Sequence, residues 1–308
     1  MEIRDIDGNV LVNVEEDNLL NLVLPNHNLK KAALLNAVIY RADLRGCDLS
    51  GANLRGANFS LSNLEGANLT KATLTGANFS QCNLKGAILK GCEMNYTDFR
   101  GSNLDYTDLT KCEATGVIFE KASLVKANLK QAVMDKGTFN FADLNGADLS
   151  RGVFYRSHFI ETHMPSVNLE NAELEGSVFR QAHAPNSKMK NASLVNSNLF
   201  KAHFSGCDLE GANLSSCICD EAELNNVSFL KSILTKTSFK SSDLRNTDLR
   251  KSQFSGTKFI FTYLQGANFE SSQLMDAHIQ SAVYDTTTNF PTGFDPSTFN
   301  MKKAVPAS

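Results

Sequence analysis

Three histidines, His163, His183 and His203, are spaced by twenty residues and form the most suggestive set of potential metal ligands in the sequence. Neutral imidazoles bind Zn²⁺ or Ni²⁺, and protonated imidazoles repel one another below about pH 6.5. A row of solvated surface rings is the simpler interpretation of the same spacing. We therefore predict no bound metal and no cofactor, and we keep these three histidines as the candidate ligands.

Seven cysteines without a C-x-x-C pair do not indicate a disulfide framework or a zinc site. Their positions in the repeat described below predict that all seven are buried as small hydrophobic side chains in a reducing compartment. Cys92 and Cys112 are twenty residues apart and are the one pair that we expect to lie close enough for a disulfide or a soft-metal contact.

Signals for enzymatic chemistry are absent from the sequence. It contains no G-x-S-x-G nucleophile motif, no Walker A motif and no H-E-x-x-H pair. Acidic residues such as Asp98, Asp108, Asp143 and Asp208 recur with the repeat and do not cluster in the sequence. We therefore predict no catalytic residues and no enzyme activity.

A large apolar residue returns at every fifth position, and this period determines where all the residues above must lie. From Leu34 to Ile279 there are 50 such centre positions, and 47 of them hold Leu, Ile, Phe or Met. The exceptions are Ala114, Ala184 and Cys219. Two residues before each centre, every position holds Ala, Cys, Ser, Thr, Val or Gly. We call these the centre and minus-two positions.

A period of five fits neither a long helix nor a long strand. Five helical steps rotate a side chain by about 140°, and an odd step along a strand alternates between the two faces. The chain must therefore form a short extended piece followed by a corner, so that centre and minus-two side chains point inward again. Glycines two places after many centres, such as Gly56 and Gly66, suit such corners.

Phenylalanines give the number of corners in one coil, because Phe59, Phe79, Phe99, Phe119 and Phe139 are spaced by twenty. Four sides of five residues are therefore predicted, with a ladder of rings inside one wall. At about 4.8 Å per coil, 12 to 13 coils would form a solenoid of roughly 60 Å.

Units of the form A(D/N)LXX in RADLRGCDLSGANLRGANFS resemble the pentapeptide repeat family, over residues 30 to 282. This resemblance implies an all-β protein, a right-handed quadrilateral parallel β-helix known as the repeated five-residues fold. The C-terminal stretch from Val283 also resembles, more weakly, the closing segment of some cyanobacterial members.

The two ends of the solenoid are expected to differ from its middle, because an uncovered end invites further strand pairing. Residues 2 to 14 form two β-prone runs around Asp7 and Gly8, which predicts a hairpin. The expected organisation is a hairpin cap at 1–18, a β-helix at 19–283 and a C-terminal cap and tail at 284–308. Tyr284, Phe290, Phe294 and Phe299 are candidates for a hydrophobic lid.

Outward positions on the phenylalanine side of the coil carry unexpected apolar residues, which favour a protein-binding or dimer face over isolated exposed hydrophobes. The candidate interface residues are Ile118, Phe141, Ile160, Val178, Phe200 and Ile218. The predicted function is a non-enzymatic scaffold that binds one or more proteins through a flat wall. A regulatory role and a homodimer are the finer expectations.

Charge and hydropathy limit the classes of partner that we expect for the protein and its location in the cell. The net charge is −3, from 30 Lys and Arg against 33 Asp and Glu, which does not favour nucleic-acid binding. No apolar run is long enough to cross a bilayer and no signal peptide is evident, so we expect a cytoplasmic protein without a membrane partner. Resemblance to quinolone-resistance members implies an alternative, mimicry of DNA to bind gyrase or topoisomerase IV, although those members are markedly acidic. A second alternative is that the three histidines bind a small ligand or a metal ion.

Overall fold

The computed structural model describes residues 1–15 and 18–304 of the chain. Its internal contacts form two compact units, Met1–His158 and Phe159–Ser308, and no break in the repeat marks the boundary between them. Both units are built from the same coil, a right-handed quadrilateral parallel β-helix, which confirms the predicted fold class.

Each coil takes twenty residues because the residue before each centre pairs in parallel with the residue twenty places later. Asp43 pairs with Asn63, and in the second unit Lys188 pairs with Asp208. Beside the first of these bridges, the Leu44 amide donates to the Asn63 carbonyl at 2.8 Å. Neighbouring coils are therefore joined by backbone hydrogen bonds on each of the four sides.

The corners are four-residue turns whose third residue has a positive φ, apart from the corner at Leu274, where a 3₁₀ helix forms instead. The Ala52 amide donates to the Leu49 carbonyl at 3.0 Å across one such turn, and Gly51 there has φ 67°. Residues other than glycine also adopt this conformation, as Lys71 does with φ 57°. Gly56 is a position where a side chain would be obstructed, because a Cβ atom there would lie 2.1 Å from Oδ1 of Asn36 in the preceding coil.

Centre and minus-two side chains fill the interior, as the period predicts. Phe59 and Phe79 stack with their ring centroids 4.9 Å apart, and the column continues through Phe99, Phe119 and Phe139 at 5.0 to 5.4 Å. All five rings are fully buried. In the second unit, Phe159 stacks on Phe179 at 4.7 Å and Phe239 on Phe259 at 5.5 Å.

Many polar minus-two residues are buried and donate a hydrogen bond to the coil before them, whereas Thr107 and Thr247 donate to the carbonyl three residues earlier. Thr97 Oγ1 donates to the Leu74 carbonyl at 2.9 Å, and Ser197 Oγ donates to the Leu174 carbonyl at 2.8 Å. The acceptor lies 23 residues earlier in each case. A small polar side chain therefore adds a hydrogen bond between coils at a site where alanine only fills space.

Asn and Asp before the centres stabilise the following corner. Oδ1 of Asp48 accepts a hydrogen bond from the amide of Ser50 at 2.9 Å, and Oδ1 of Asn78 accepts one from Ser80 at 2.9 Å. Such bonds to the backbone two residues on favour turns. They explain why Asp or Asn recurs at the middle of the A(D/N)L unit.

The first unit begins with an antiparallel hairpin, in which strand β1 (Glu2–Arg4) pairs with β2 (Val10–Asn13). The hairpin joins the coils where Asp5 pairs antiparallel with Ala32. Further along this unit, β3 (Glu113–Thr115) and β4 (Val133–Asp135) pair in parallel, with Ala114 opposite Met134. Met134 is fully buried there, beside the smallest centre residue of the unit.

The second unit ends in less regular structure. Strands β5 (Lys258–Ile260) and β6 (His278–Gln280) pair in parallel, and a 3₁₀ helix at Leu274–Asp276 precedes β6. Strand β7 (Val283–Tyr284) then pairs in parallel with β8 (Lys302–Lys303), and a second 3₁₀ helix, Pro296–Phe299, lies between them in sequence.

An aromatic column continues from the last coils of the second unit into its C-terminal stretch. Phe269 stacks on Phe290 at 6.0 Å, Phe290 on Phe294 at 5.0 Å, and Phe294 on Phe299 at 4.6 Å. Tyr284 contacts Phe290 edge to face at 5.5 Å. The four aromatic residues of the candidate lid therefore form one cluster with Phe269, the centre residue next to it.

Candidate interaction surfaces

The phenylalanine ladder lies inside one wall of each unit, and we call the outside of that wall the ladder wall. In the first unit Ile118 pairs with Asp98 and Thr138 on this wall, and its side chain is half-buried. Phe141 occupies the adjoining corner with φ 60°, and 47% of its surface is exposed. Of these two candidate residues, Phe141 is the one that presents a large apolar surface to solvent.

In the second unit, the apolar residues of the ladder wall are separated by a polar one. Val178 pairs with Asn198, and Asn198 pairs with Ile218 on the next coil. Ile218 has 45% of its surface exposed, whereas Ile160, Val178 and Phe200 are half-buried. Among the candidate interface residues of the second unit, Ile218 is therefore the one with the most exposed side chain.

Phe200 is positioned by two cations. The Arg180 guanidinium lies 5.9 Å from the centroid of the Phe200 ring, and the Lys201 ammonium lies 5.2 Å from it. Cations over an aromatic face contribute about 0.5 to 1 kcal/mol each at exposed sites. The Phe200 amide also donates to Oδ1 of Asn198 at 3.0 Å. The ring is therefore held in place on the wall, next to positive charge.

Further exposed apolar residues lie at the start of the first unit, outside the candidate interface set. Val23 is 66% exposed and Leu35 is 57% exposed, and both occupy outward positions of the same period. Leu35 directly follows the centre Leu34 and was identifiable from the period as counted, whereas Val23 required extending the period back to Leu24. The ladder-wall set is therefore not the whole of the exposed apolar surface.

The three histidines lie on consecutive coils of one wall of the second unit, because His163 pairs with His183 and His183 with His203. The rings of His163 and His183 stack at 5.4 Å, and those of His183 and His203 are tilted at 5.8 Å. Glu223 on the next coil adds a fourth polar group, with Oε2 at 2.9 Å from Nδ1 of His203. Its spacing of twenty from His203 could have predicted this contact.

Burial and like charge both act on the middle histidine. Partial burial lowers the pKa of His183, and His163 and His203 lower it further, while Glu223 acts weakly in the opposite direction. The positively charged form of His183 is therefore disfavoured in the folded protein.

In this arrangement the three rings do not surround one ion. Two ligand atoms on one Zn²⁺ lie at most about 4.2 Å apart, whereas the first and third coils of a column are about 9.6 Å apart. Within residues 1–15 and 18–304, no group of three or more His, Cys, Asp or Glu side chains is arranged to hold a metal ion.

The cysteines are buried thiols, and none forms a disulfide. Cys92 Sγ donates to the Leu69 carbonyl and Cys112 Sγ to the Leu89 carbonyl, both at 2.9 Å. A hydrogen bond with Cys112, together with burial, raises the pKa of Cys92. Burial alone raises the pKa of Cys82 to about 12. These thiols are poor nucleophiles at neutral pH.

Some of the charged side chains form ion pairs within or between neighbouring coils. Asp98 and Arg100 form an ion pair at 2.6 Å, and Asp243 and Arg245 form one at 2.5 Å. Glu210 accepts from Lys190 at 2.8 Å and from Lys231 at 3.1 Å. Such exposed pairs contribute little to stability, and they neutralise part of the charge along the walls.

No helix in the described part of the chain is long and apolar enough to span a membrane. A search of curated proteins found no match.

Among solved structures, the chain is similar to HetL, a pentapeptide repeat protein involved in heterocyst differentiation regulation from the cyanobacterium Nostoc sp. strain PCC 7120. Identity is 22%, with 88% of this chain and 92% of HetL covered and a TM-score of 0.29. A trypsin-treated form of QnrB1, a plasmid-mediated fluoroquinolone resistance protein, is 21% identical over 64% of this chain and 90% of its own, with a TM-score of 0.30. Rfr23 from the cyanobacterium Cyanothece 51142 is 18% identical over 45% and 90%, with a TM-score of 0.20.

The family model described as Pentapeptide repeats (8 copies) matches most of the sequence. The matched residues are 21–51, 52–91, 82–120, 115–151, 163–199, 182–215, 192–229, 219–250 and 252–282. The matches extend over both compact units, and their five-residue lattice is the one seen in the coils. The chain therefore belongs to the pentapeptide repeat family.

Proposed function

We propose that the protein is a non-enzymatic scaffold that binds one or more partner proteins through the ladder wall of each unit. The observation that carries this proposal is the exposure of large apolar side chains on a surface whose backbone is already paired between coils. Phe141 and Ile218 each expose nearly half of their surface there. Because the backbone hydrogen bonds are used within the coils, side chains must carry the recognition.

Positive charge beside the apolar residues gives the patch of the second unit its chemical character. Arg180 and Lys201 contact the Phe200 ring, and an aromatic anchor flanked by arginine is typical of residues that dominate binding energy at interfaces. The proposed partner surface offers an apolar pocket for Phe200 and acidic groups around it.

The experiment compares two charge variants with matched controls. Phe141→Glu is paired with Gln131→Glu, a corner residue beside the opposite wall of the first unit. Phe200→Glu is paired with Asn191→Glu, a corner residue beside the opposite wall of the second unit. Each protein is immobilised and used to capture partners from the native host, with quantification by mass spectrometry.

The expected result is that at least one captured protein is lost from a phenylalanine variant and retained by its matched control. Purified partner should then bind the wild-type protein at least tenfold more tightly than that phenylalanine variant. Equal capture by all four variants would exclude the ladder wall as the binding surface.

Mimicry of DNA receives no support from the charge arrangement. Asp43, Asp98 and Asp248 are each paired with an arginine two residues later, which leaves no continuous acidic stripe among them. We expect no inhibition of gyrase supercoiling and no protection of gyrase from quinolones. Either effect at stoichiometric concentration would revive the alternative.

A further inference from the structure

The N-terminal hairpin extends the stack of strands in the first unit and so moves its edge outward. The Ala33 amide donates to the Arg4 carbonyl at 2.8 Å, and the Ile6 amide donates to the Lys31 carbonyl at 3.0 Å. Strand β1 therefore lies between the first coils and β2. On its other side β2 has no neighbouring strand in the described part of the chain.

The hydrogen-bond pattern identifies which backbone groups of β2 point outward. Met1 and Val14 exchange two hydrogen bonds, of 2.6 and 2.8 Å, so this pair is the hydrogen-bonded kind. Hydrogen-bonded and non-hydrogen-bonded pairs alternate along an antiparallel ladder. Asn13, which is opposite Glu2, therefore directs its N–H and C=O away from β1.

Of the features that discourage pairing with another chain, β2 has a short length of four residues and a bulge at Leu11, but it has neither charge nor proline. Residues from Val10 to Val14 carry no charge and include no proline, and Val10 is 42% exposed. The other peripheral strand of the protein, β8 in the second unit, consists of Lys302 and Lys303. Two copies of β8 would place lysines opposite lysines, whereas two copies of β2 would bring no like charges together.

We propose that β2 pairs antiparallel with β2 of a second copy of this chain, in a four-stranded sheet of the two hairpins around a two-fold axis. An antiparallel pair of identical strands is self-complementary, as a symmetric interface requires. With the two-fold axis at Asn13, its outward N–H and C=O pair with those of Asn13 in the second copy. This homodimer uses a different surface from the ladder wall and does not depend on the proposed function.

Sedimentation equilibrium of the full chain tests the proposal with a matched pair of variants. Asn13→Pro removes the outward N–H while leaving the hydrogen bonds between Val14 and Met1, and Asn13→Ala removes the same side chain but keeps the N–H. Asn13→Glu is an independent variant that keeps the N–H and places two carboxylates opposite each other at the two-fold axis. Far-UV circular dichroism and urea unfolding establish that each variant is folded.

The wild-type protein and Asn13→Ala are expected to sediment at twice 33.7 kDa, whereas the dimers of Asn13→Pro and Asn13→Glu should have dissociation constants at least tenfold higher. Added salt should partly restore the Asn13→Glu dimer, because it screens the introduced charges. A wild-type protein that is monomeric at its highest soluble concentration overturns the proposal. So does a folded Asn13→Pro or Asn13→Glu variant that dimerises as tightly as the wild type. The charge variants of the ladder wall should leave this equilibrium unchanged.

Discussion

Two glycines with the same backbone conformation should respond differently to alanine because of one neighbouring side chain. Gly56 has φ 63° and Gly66 has φ 66°, and both are corner residues of the first unit. A Cβ atom on Gly56 would lie 2.1 Å from Oδ1 of Asn36, whereas a Cβ atom on Gly66 would have nothing within 4 Å. The pair therefore separates the intrinsic strain of the corner from the packing between coils.

The expected magnitudes follow from these two contributions. A left-handed conformation costs a residue with a Cβ atom about 1 to 2 kcal/mol, and this cost applies equally to Gly56→Ala and Gly66→Ala. The reduced freedom of the unfolded chain also applies to both variants. Only Gly56→Ala must displace Asn36 from its rotamer, at a further cost of about 0.5 to 1.5 kcal/mol. We expect Gly56→Ala to be the less stable variant by this difference.

Urea unfolding followed by far-UV circular dichroism measures the difference, since the protein has no tryptophan to report by fluorescence. Both alanine variants are also made in an Asn36→Gly background, which removes the obstructing side chain. In that background the two substitutions should become equally destabilising. Equal losses in the original background, or a difference that survives Asn36→Gly, would refute this account of the corner.

Three further predictions test the interior and the histidine column. Thr97→Val should lower the free energy of unfolding by about 1 kcal/mol, because it removes the hydrogen bond to Leu74, and urea unfolding measures this loss. The pKa of His183 is lowered in the folded state, so the unfolded chain binds more protons between the two pKa values and stability should fall as the pH drops through about 6.5. His183→Gln should flatten that slope in unfolding measurements from pH 8 to 5, and an unchanged slope would exclude His183 as its origin. Because burial raises the pKa of Cys82 to about 12 and every cysteine is buried, Ellman's reagent should react with the native thiols far more slowly than with the seven thiols of the unfolded chain, and rapid native labelling would contradict this burial.

The interior of the coil could be predicted almost completely, because the period of five leaves one arrangement that hides every centre. Phe99 illustrates this, since its spacing from Phe79 and Phe119 fixed both its wall and its stacking partners. The hydrogen-bond partners of the buried polar residues were harder to predict from the sequence. Thr97 is recognisable as small, but its acceptor 23 residues earlier depends on how the corner orients the Leu74 carbonyl.

Surface relations were predictable only where spacing alone decides them. The stacking of His163 on His183 follows from a separation of twenty, and the contact of Glu223 with His203 follows from the same rule. The directions of side chains could not be predicted in this way. Arg180 and Lys201 both turn toward the Phe200 ring because of their rotamers, which the period does not determine. The proposed hairpin cap at 1–18 and tail at 284–308 remain proposals about how the chain is organised.

The four-sided coil has a consequence for how such a protein can change during evolution. Removing or duplicating five residues within one unit leaves every later side chain on the same side of the backbone, inward or outward, because the lattice is unchanged. It nevertheless turns each later column by a quarter of a circle. A change of five residues between His163 and His183, for example, would move His183 and His203 to the wall next to that of His163. A change of twenty residues restores every column to its wall. Small insertions can therefore rearrange which surface residues meet while preserving a packed interior.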